Sequence, residues 1–233
     1  MNGDVKVFSE YEQARRGVKL HRMARAFKKA LYLTIKRTFD LFCGLVGVVC
    51  IAPLAVIVKI CTLLTGDTKS IFYTQKRIGL NGEIIHLYKF RSMVPNAGEM
   101  LEELLKDEKY KKEWDANQKL ENDPRITKIG NILRKTSLDE VPQFINVLKG
   151  DMSLIGPRPL VEGELDAHNG NHQLYESMRP GITGWWACNG RSATEYEDRL
   201  KLEYYYVKNA SLKLDIMIIY KTIEAVIKRT GAQ

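Results

Sequence analysis

An adjacent acidic pair, Asp139 and Glu140, is the feature of this sequence that most directly indicates chemistry. It lies in a stretch, residues 123–159, that also contains several arginines and a Gly-Pro-Arg-Pro turn. Apolar residues follow the pair at i, i+3, i+4 and i+7 and Gly150 ends the repeat, which predicts a helix of about ten residues. Because Pro142 lacks an N–H group, it is tolerated only in a first helical turn. The acidic pair is therefore predicted at the N-terminus of this helix.

The local sequence leaves two interpretations of the acidic pair open. Ser137 and Glu140 fit the S-x-x-E capping box, and acidic residues are normal in a first helical turn. Alternatively, the free N–H groups and the positive end of the helix attract phosphate, so the pair would lie where a phosphate binds. The second interpretation gains support from arginines in turn-like contexts marked by Gly or Pro, where a guanidinium binds phosphate through two hydrogen bonds. These are Arg134, Arg158, Arg179 and Arg191.

Rigid turns carry several of these arginines. Residues 151–155 read as a short buried strand that leads into Gly156-Pro157-Arg158-Pro159, where two prolines fix the backbone around Arg158. The segments 179–186 and 189–192 repeat this combination of turn and arginine, and the first also contains Trp185 and Trp186. Two roles are open for this tryptophan pair: packing in a core or interface, or binding of a base, a sugar or a lipid.

Strands and helices must position these groups. Residues 70–75 and 83–90 are rich in β-branched and aromatic side chains, and Asn81-Gly82 between them predicts a hairpin that leads into residues 89–93. Residues 97–120 are predicted as a solvated surface helix or a pair of helices. A charged helix is predicted over residues 195–201. An amphipathic segment over 212–227 suits packing on the catalytic core or on a membrane surface.

The composition and the charge limit the class of protein. The chain has 233 residues, 45% of them hydrophobic, which is enough to bury a sizeable core. Residues 1–37 carry seven of the eight net positive charges, and such a basic block binds nucleic acid or an anionic membrane surface. The cysteines show no C-x-x-C pair and no neighbouring histidine at ligand spacing, so they are predicted to be reduced packing residues.

An uncharged run of eighteen residues, 41–58, follows the basic block and reaches the length of a membrane segment. Pro53 lies inside it and predicts a kink or break, and the Lys and Arg residues on both flanks indicate that both ends stay on the cytoplasmic side. A re-entrant helix that dips into one leaflet satisfies both features. A straight spanning helix and a buried helix of a soluble core are the alternatives. Residues 11–37 are predicted as an interfacial amphipathic helix or a solvated extension.

The order of motifs resembles that of bacterial sugar transferases of the monotopic phosphoglycosyl transferase family, over about residues 36–232 and especially the members that initiate exopolysaccharide or capsule synthesis. The matching segments are KRTFDLFCG at 36–44, the proline at 53, QKRIGLNG at 75–82, KFRSM at 89–93, NDPRITKIG at 122–130, LRKTSLDEVPQFINVLKGDMSLIGPRP at 133–159, RPGITG at 179–184 and NGRS at 189–192.

The resemblance implies an α+β fold: a basic extension (1–37), a re-entrant membrane helix (38–66) broken at Pro53, and a cytoplasmic catalytic domain of helices and short strands (67–233). Relatives often have Ser before this proline where the present chain has Ala52. The implied location is the bacterial inner membrane, with the active site on its cytoplasmic face. Membrane lipids are expected partners and nucleic acid is not. The resemblance leaves open whether the protein forms a homo-oligomer.

The implied reaction is transfer of a sugar 1-phosphate from a nucleotide sugar, usually a UDP-sugar, to polyprenyl phosphate with release of UMP. Asp139 would be the nucleophile and Glu140 its partner, and both would hold Mg²⁺ at the diphosphate. The residues implied to bind phosphate or nucleotide are Lys89, Arg91, Arg134, Arg158 and Arg191. Two rival functions are a membrane-docked assembly protein without catalysis and nucleic-acid binding through the basic N-terminus.

Overall fold

The computed structural model describes residues 2–117, 119–189 and 195–227. For residues 2–16, 18, 116, 117, 226 and 227 it describes the backbone and not the side chain. The helices are α1 (Asn2–Leu64), α2 (Ala97–Leu104), α3 (Glu108–Asn117), α4 (Lys128–Lys135), α5 (Gln143–Lys149), α6 (His172–Tyr175), α7 (Trp185–Asn189), α8 (Tyr196–Asn209) and α9 (Leu212–Ile227). The strands are β1 (Phe72–Ile78), β2 (Ile84–Phe90), β3 (Ser153–Ile155) and β4 (Gly181–Thr183). Helices and two small separate sheets confirm the predicted mixture of helix and short strand.

The chain divides into two compact units, residues 1–40 and 41–233. In the first unit the predicted helix over residues 11–37 is confirmed as part of α1. Its apolar side chains Met23, Phe27 and Leu31 are exposed, whereas the side chain of Val18, also assigned to the apolar stripe, lies outside the described residues. In the part of the chain that the structure describes, Lys19–Leu64 is the helical segment long and apolar enough to cross a membrane by length and composition.

The helix α1 continues through Pro53, so a break of the helix at this residue is not confirmed. Ala52 and Pro53 lie on the exposed side of α1, while Ile51 and Val58 on either side of them are buried. Proline removes one backbone hydrogen bond. Because the flanking turns are held by packing through Ile51 and Val58, the loss of that bond does not end the helix.

The second half of α1 packs against the domain along one face. Ile51 and Val58 are buried in a cluster with Phe90 of β2 and Leu133 of α4. The contact with α5 is close, because a Cβ atom on Gly47 would lie 2.2 Å from the ring of Phe144. The opposite face of α1 exposes large apolar side chains, namely Leu41, Phe42, Leu45, Val46, Val49, Val56, Ile57, Ile60, Leu63 and Leu64. The helix thus has one face on the protein and one apolar face left uncovered.

The predicted hairpin is confirmed as the antiparallel pair β1 and β2. Its connection contains Asn81 and Gly82 at φ angles of 56° and 78°, the left-handed conformation that Asn and Gly tolerate best. The strands pair from Phe72 opposite Phe90 to Ile78 opposite Ile84. The first strand therefore lies two to three residues later in the sequence than predicted.

Short elements complete the domain. The predicted strand over residues 151–155 is confirmed as β3, which pairs with β4 in parallel. The helices α2 and α3 confirm the predicted helical pair, and α9 matches the predicted amphipathic segment. The buried Tyr206 of α8 donates a 2.7 Å hydrogen bond to Asp215 of α9 and packs beside β3. Packing of one face of α9 on the core is thereby confirmed, while Ile216, Tyr220 and Ile223 are exposed.

Candidate active site

Asp139 and Glu140 lie in a 3₁₀ turn of their own, Leu138–Glu140, between α4 and α5. The prediction that they occupy the first turn of the following helix is wrong by one turn, because α5 begins after Pro142 and spans seven residues. The predicted capping box is also wrong. Ser137 adopts a left-handed conformation (φ 56°) and its side chain makes no capping hydrogen bond, so the carboxylate of Glu140 is not used as a cap.

The carboxylate of Glu140, which makes no helix cap, binds Lys89 of β2. The Nζ of Lys89 lies 2.9 Å from Glu140 Oε1, across 51 positions of sequence. Both side chains are partly exposed, so we assign the contact a role in orientation and charge more than in stability. The hairpin thereby brings a cation directly to the acidic pair.

The environment of Asp139 disfavours its charged form. Burial and, after it, the charge of Glu140 raise the pKa of Asp139, whereas Lys89 and Arg134 act in the opposite direction. A poorly solvated carboxylate, once ionised, is a stronger nucleophile than a carboxylate in water, and neighbouring cations favour the ionised form. The carboxylate of Asp139 thus differs from that of Glu140, which is already bound to Lys89.

Arg134 is held beside the pair by the docking of α4 on residues 92–93. Its Nε donates a 2.8 Å hydrogen bond to Ser92 Oγ. The helix approaches this segment so closely that a Cβ on Gly130 would lie 1.8 Å from the carbonyl oxygen of Ser92. At the start of α4, Thr127 Oγ1 accepts a capping hydrogen bond of 2.9 Å from the N–H of Gly130. Because this cap sets the first residue of α4, the segment T-K-I-G at residues 127–130 determines the position of Arg134 on the helix.

A buried ion pair supports the entry to α4. Arg125 donates from Nε to Asp123 Oδ1 at 2.8 Å and from Nη2 to Oδ2 at 2.7 Å, and both side chains are less than a tenth exposed. The guanidinium also lies 5.3 Å from the ring centroid of Trp114. This two-bond geometry is the strong form of the interaction. The N-D-P-R segment is therefore structural, and it orients the helix that carries Arg134.

Arg91, predicted from the resemblance to bind phosphate or nucleotide, is committed to protein partners. Its Nη2 lies 2.8 Å from Asp67 Oδ2, its Nε donates to the carbonyl of Ser70 at 2.7 Å, and its Nη1 donates to that of Met93 at 3.1 Å. These bonds connect the end of β2 to the segment after α1. A role in phosphate binding stays a prediction for this residue.

Arg158 lies in the predicted rigid turn, and its side chain is exposed. The N–H of Arg158 donates to Glu203 Oε1 at 3.1 Å, and its carbonyl accepts from the hydroxyl of Tyr175 at 2.9 Å. The guanidinium carbon lies 5.4 Å from the ring centroid of Trp186. Arg179 has a different role, because its Nε donates to the carbonyl of Gly150 at 2.7 Å. Arg191, the remaining predicted arginine, lies outside the described residues.

The two tryptophans have different surroundings. Trp185 packs on the cluster around Ile155 and against Tyr205, with ring centroids 5.6 Å apart. Trp186 has two guanidinium groups over its ring, Arg158 at 5.4 Å and Arg199 at 4.8 Å. The packing interpretation is therefore confirmed for Trp185. The ring of Trp186 instead contacts two positively charged side chains, Arg158 and Arg199.

Three residues were missed by the sequence analysis: Arg199, which lies over Trp186, Glu203, which accepts from the N–H of Arg158, and Arg77. Burial and, after it, the charges of Arg158 and Arg199 lower the pKa of Arg77. The N–H of the next residue, Ile78, donates to the carbonyl of Leu160 at 2.8 Å, which places the end of β1 beside the segment that carries Arg158. The signals that could have identified them were the QKRIG motif, which includes Arg77, and the i, i+4 spacing of Arg199 and Glu203 on one face of a helix. Neither signal indicates by itself which distant residues will meet.

The two carboxylates of the acidic pair fit a magnesium ion whose other ligands come from substrate phosphates and water. Among the described residues, no group of three or more His, Cys, Asp or Glu side chains could hold a metal alone. Magnesium typically binds one or two carboxylates together with substrate phosphates and water. Asp139 and Glu140 supply two adjacent carboxylates whose mutual repulsion a cation would relieve. The donor set therefore suits a cation that arrives with a diphosphate.

Comparison with known proteins identifies the family. The family profile described as "Bacterial sugar transferase" matches residues 31–229. The undecaprenyl-phosphate galactose phosphotransferase of Salmonella typhimurium is 44% identical over 199 residues, which are 85% of this chain and 41% of the relative. The UDP-galactose-lipid carrier transferase of Erwinia amylovora is 46% identical with the same coverage.

A further relative is of similar length. The exopolysaccharide production protein ExoY of Sinorhizobium fredii is 40% identical over 198 residues, which are 84% of this chain and 87% of the relative. The chain thus spans about two fifths of the Salmonella and Erwinia relatives and most of ExoY. Since the profile covers the apolar helix, the hairpin and the acidic pair together, the chain belongs to the bacterial sugar transferase family.

Proposed function

We propose that this protein transfers a sugar 1-phosphate from a UDP-sugar to polyprenyl phosphate, releases UMP, and so initiates synthesis of an exopolysaccharide, capsule or O-antigen type glycan. The observation that carries the proposal is the half-buried Asp139 beside Glu140, with Lys89 and Arg134 as neighbouring cations. The names of the relatives support the substrate class, since they include an undecaprenyl-phosphate galactose phosphotransferase and a UDP-galactose-lipid carrier transferase.

The proposed chemistry has two displacements at one phosphorus atom. A carboxylate oxygen of Asp139 attacks the β-phosphorus of the UDP-sugar, the bond from this phosphorus to the bridging oxygen breaks, and UMP leaves with that oxygen. The acyl phosphate so formed carries the sugar. An oxygen of polyprenyl phosphate then attacks the same phosphorus, and the bond to Asp139 breaks. The products are polyprenyl diphosphate sugar and free Asp139, so no other reactant is needed.

Charge is the main requirement of these steps. Lys89 and Arg134 act on Asp139 and would also neutralise the negative charge of the transferring group. Glu140 is bound to Lys89 and would thereby hold that lysine near the reacting phosphorus. Asp139 and Glu140 would hold Mg²⁺ together with the diphosphate, and the bound ion would supply further neutralisation of the phosphate oxygens.

The position of the acidic pair suits a lipid acceptor. The helix that follows it, α5, contacts α1 through Phe144 at Gly47 and through Leu148 at Gly44. The packed face of α1 runs at least from Gly44 to Val58, about 21 Å at 1.5 Å per residue. A helix held against the domain over this length, with its other face apolar, suits residence in one leaflet. We therefore propose a monotopic attachment on the cytoplasmic face of the inner membrane, with the re-entrant bend at Ala52 and Pro53 as the prediction to test.

The decisive experiment compares wild-type protein with Asp139→Asn in lipid nanodiscs, using a panel of UDP-sugars and undecaprenyl phosphate. We expect UMP release by the wild type and a loss of at least roughly a thousandfold in the variant, because the attacking group is gone. Asp115→Asn, a change at an exposed residue of α3, is the matched control and should keep full activity. The expected mass increase on the peptide containing Asp139, with donor alone, identifies the intermediate.

Two results would contradict the proposal. Full turnover by Asp139→Asn would show that this aspartate is not the nucleophile. Absence of UMP release with every donor, from a folded wild-type protein in lipid, would favour the assembly protein without catalysis.

A further inference from the structure

A side chain of α5 binds the edge of β2 that faces away from β1. The side-chain oxygen of Asn146 accepts a 3.0 Å hydrogen bond from the N–H of Tyr88, and its Nδ2 donates a 2.7 Å hydrogen bond to the carbonyl of His86. These two main-chain groups share one edge, because the N–H and C=O groups of residues i and i+2 point the same way along a strand. Among the described residues the sheet has two strands. The amide of Asn146 therefore takes the place that a peptide group of a third strand would have.

Asn146 is fully buried, and all of its hydrogen-bonding groups are used. Its Nδ2 also donates to Asp151 Oδ2 at 3.1 Å, and its own carbonyl accepts from the N–H groups of Gly150 and Asp151 at 3.1 and 3.0 Å. Replacing such a side chain leaves buried main-chain groups of β2 unmatched. The fold therefore requires an amide at this position, and an apolar side chain of similar size does not replace it.

These hydrogen bonds fix the position of α5 along the strand. The next pair of groups that the amide could bind lies two residues away on the same edge of β2, a shift of about 6.8 Å at about 3.4 Å per residue. Val147 of α5 also packs with Leu87 in a buried cluster, but hydrophobic contact is non-directional and tolerates smaller shifts. The amide of Asn146 thus selects one register of the helix on the strand.

The same register brings Glu140 to Lys89. Lys89 follows Tyr88 directly in β2, and Glu140 lies in the 3₁₀ turn just before α5. The contact between Lys89 Nζ and Glu140 Oε1 at 2.9 Å therefore joins the two elements that Asn146 holds together. Because this ion pair is partly exposed, it is a weak constraint on their position. A buried and fully hydrogen-bonded amide is the stronger constraint, so the ion pair depends on the docking by Asn146.

We propose that Asn146 is a positioning residue of the candidate active site. Its amide sets the register of α5 on β2 and thereby holds Lys89 against Glu140. Asn146 touches no reacting atom and acts through Lys89. The catalytic consequence rests on the proposed function, in which Lys89 neutralises negative charge on the transferring group.

The test measures the yield of a direct cross-link between Lys89 and Glu140 in the full chain in nanodiscs. A carbodiimide activates the carboxylate of Glu140, the amine of Lys89 attacks it, and the amide that forms is quantified by peptide mass spectrometry. The internal reference is the cross-link between Lys201 and Asp198 of α8, whose nitrogen and oxygen atoms are 2.7 Å apart.

Two substitutions remove the amide to different degrees. Asn146→Leu has a similar size and no hydrogen-bonding group, and we expect it to lower the yield relative to the reference by at least roughly fivefold. Asn146→Asp keeps an oxygen for the N–H of Tyr88 but cannot donate to His86 when ionised, so a loss of at least roughly threefold is expected. This milder variant decides the question by itself if Asn146→Leu does not fold, which thermal unfolding measures.

The matched control is Ile218→Val. It removes a buried methylene group from the cluster around Ile155 and Tyr206, so it lowers stability without touching β2. Its cross-link yield should stay within about twofold of wild type. A yield this close to wild type in the folded Asn146 variants overturns the proposal, as does an equal loss in Ile218→Val.

Turnover gives a second measurement that a purely structural role would not change. If Asn146 acts through Lys89, Asn146→Leu should lower kcat/KM for UMP release roughly tenfold in the wild-type background and less than about threefold in Lys89→Gln. Equal losses in the two backgrounds would contradict action through Lys89. The cross-link needs no substrate, so failure of this positioning role is distinguishable from failure of Asp139 as nucleophile.

Discussion

Glu203→Gln tests whether the buried carboxyl group beneath Arg158 is held protonated by its surroundings. Glutamine keeps an oxygen that accepts the 3.1 Å hydrogen bond from the N–H of Arg158, but it cannot ionise. The substitution therefore removes the titration of Glu203 and keeps its shape. Glu197→Gln, at an exposed position of the same helix, is the matched control.

The expected magnitude follows from the pKa. Burial raises the pKa of Glu203 from 4.5 to about 7, with Arg158 and Arg199 acting against the shift. The folded protein thus binds more protons than the unfolded chain between these two pH values, so this group destabilises the fold as pH rises through that window. At about 1.4 kcal/mol per pKa unit, the cost above pH 7 is about 3 kcal/mol, and it is absent below pH 4.5.

Thermal unfolding of wild-type and Glu203→Gln protein at pH 5 and pH 8 measures this cost. For a chain of this length 1 kcal/mol corresponds to roughly 2–4 °C. Because about 0.8 kcal/mol of the cost is already present at pH 5, the difference between pH 5 and pH 8 is about 2.5 kcal/mol, and we expect the variant to gain about 5–10 °C on the wild type between these values. Glu197→Gln should follow the wild type at both values. An equal gap between Glu203→Gln and wild type at pH 5 and pH 8 would refute the assignment of a raised pKa to Glu203.

Two further predictions concern the acidic pair and its support. Lys89→Gln removes a cation that lowers the pKa of Asp139. The acidic limb of the pH profile of kcat/KM for UMP release should therefore move to higher pH. An acidic limb at the same pH as in the wild type would contradict this role of Lys89. Gly130→Ala should lower stability by about 1–3 kcal/mol in thermal unfolding, because the new Cβ would overlap the carbonyl of Ser92. Gly98→Ala, where the added Cβ meets open space in α2, should not destabilise the protein, and equal losses in both variants would contradict the explanation.

Local patterns in the sequence predicted the elements that depend on neighbouring residues. The hairpin was predictable because Asn81 and Gly82 tolerate left-handed conformations that most residues avoid. The amphipathic helix α9 was predictable because its apolar residues recur at helical spacing. The family resemblance identified Asp139 and Glu140 as candidates, and the structure adds the cations around them.

Several expectations failed or stayed open because packing decides them. The capping box did not form, since Ser137 takes a left-handed conformation in the connection between α4 and α5. A break at Pro53 stayed unconfirmed, since the helix assignment continues through this residue and the adjacent turns are buried on the domain. In both cases the local pattern was present, and contacts elsewhere in the chain bear on the conformation that it takes.

The sequence by itself determined which chemical groups this protein carries and the short elements that hold them. Only the tertiary structure decided the partners: Lys89 with Glu140, Arg91 with Asp67, and Trp186 with Arg158 and Arg199. Arginines that look alike in the sequence thereby divide into those bound by protein acceptors, such as Arg91, and those that are exposed, such as Arg158. The physical reason is that a guanidinium binds the acceptors that folding brings to it, and those acceptors come from residues far along the chain.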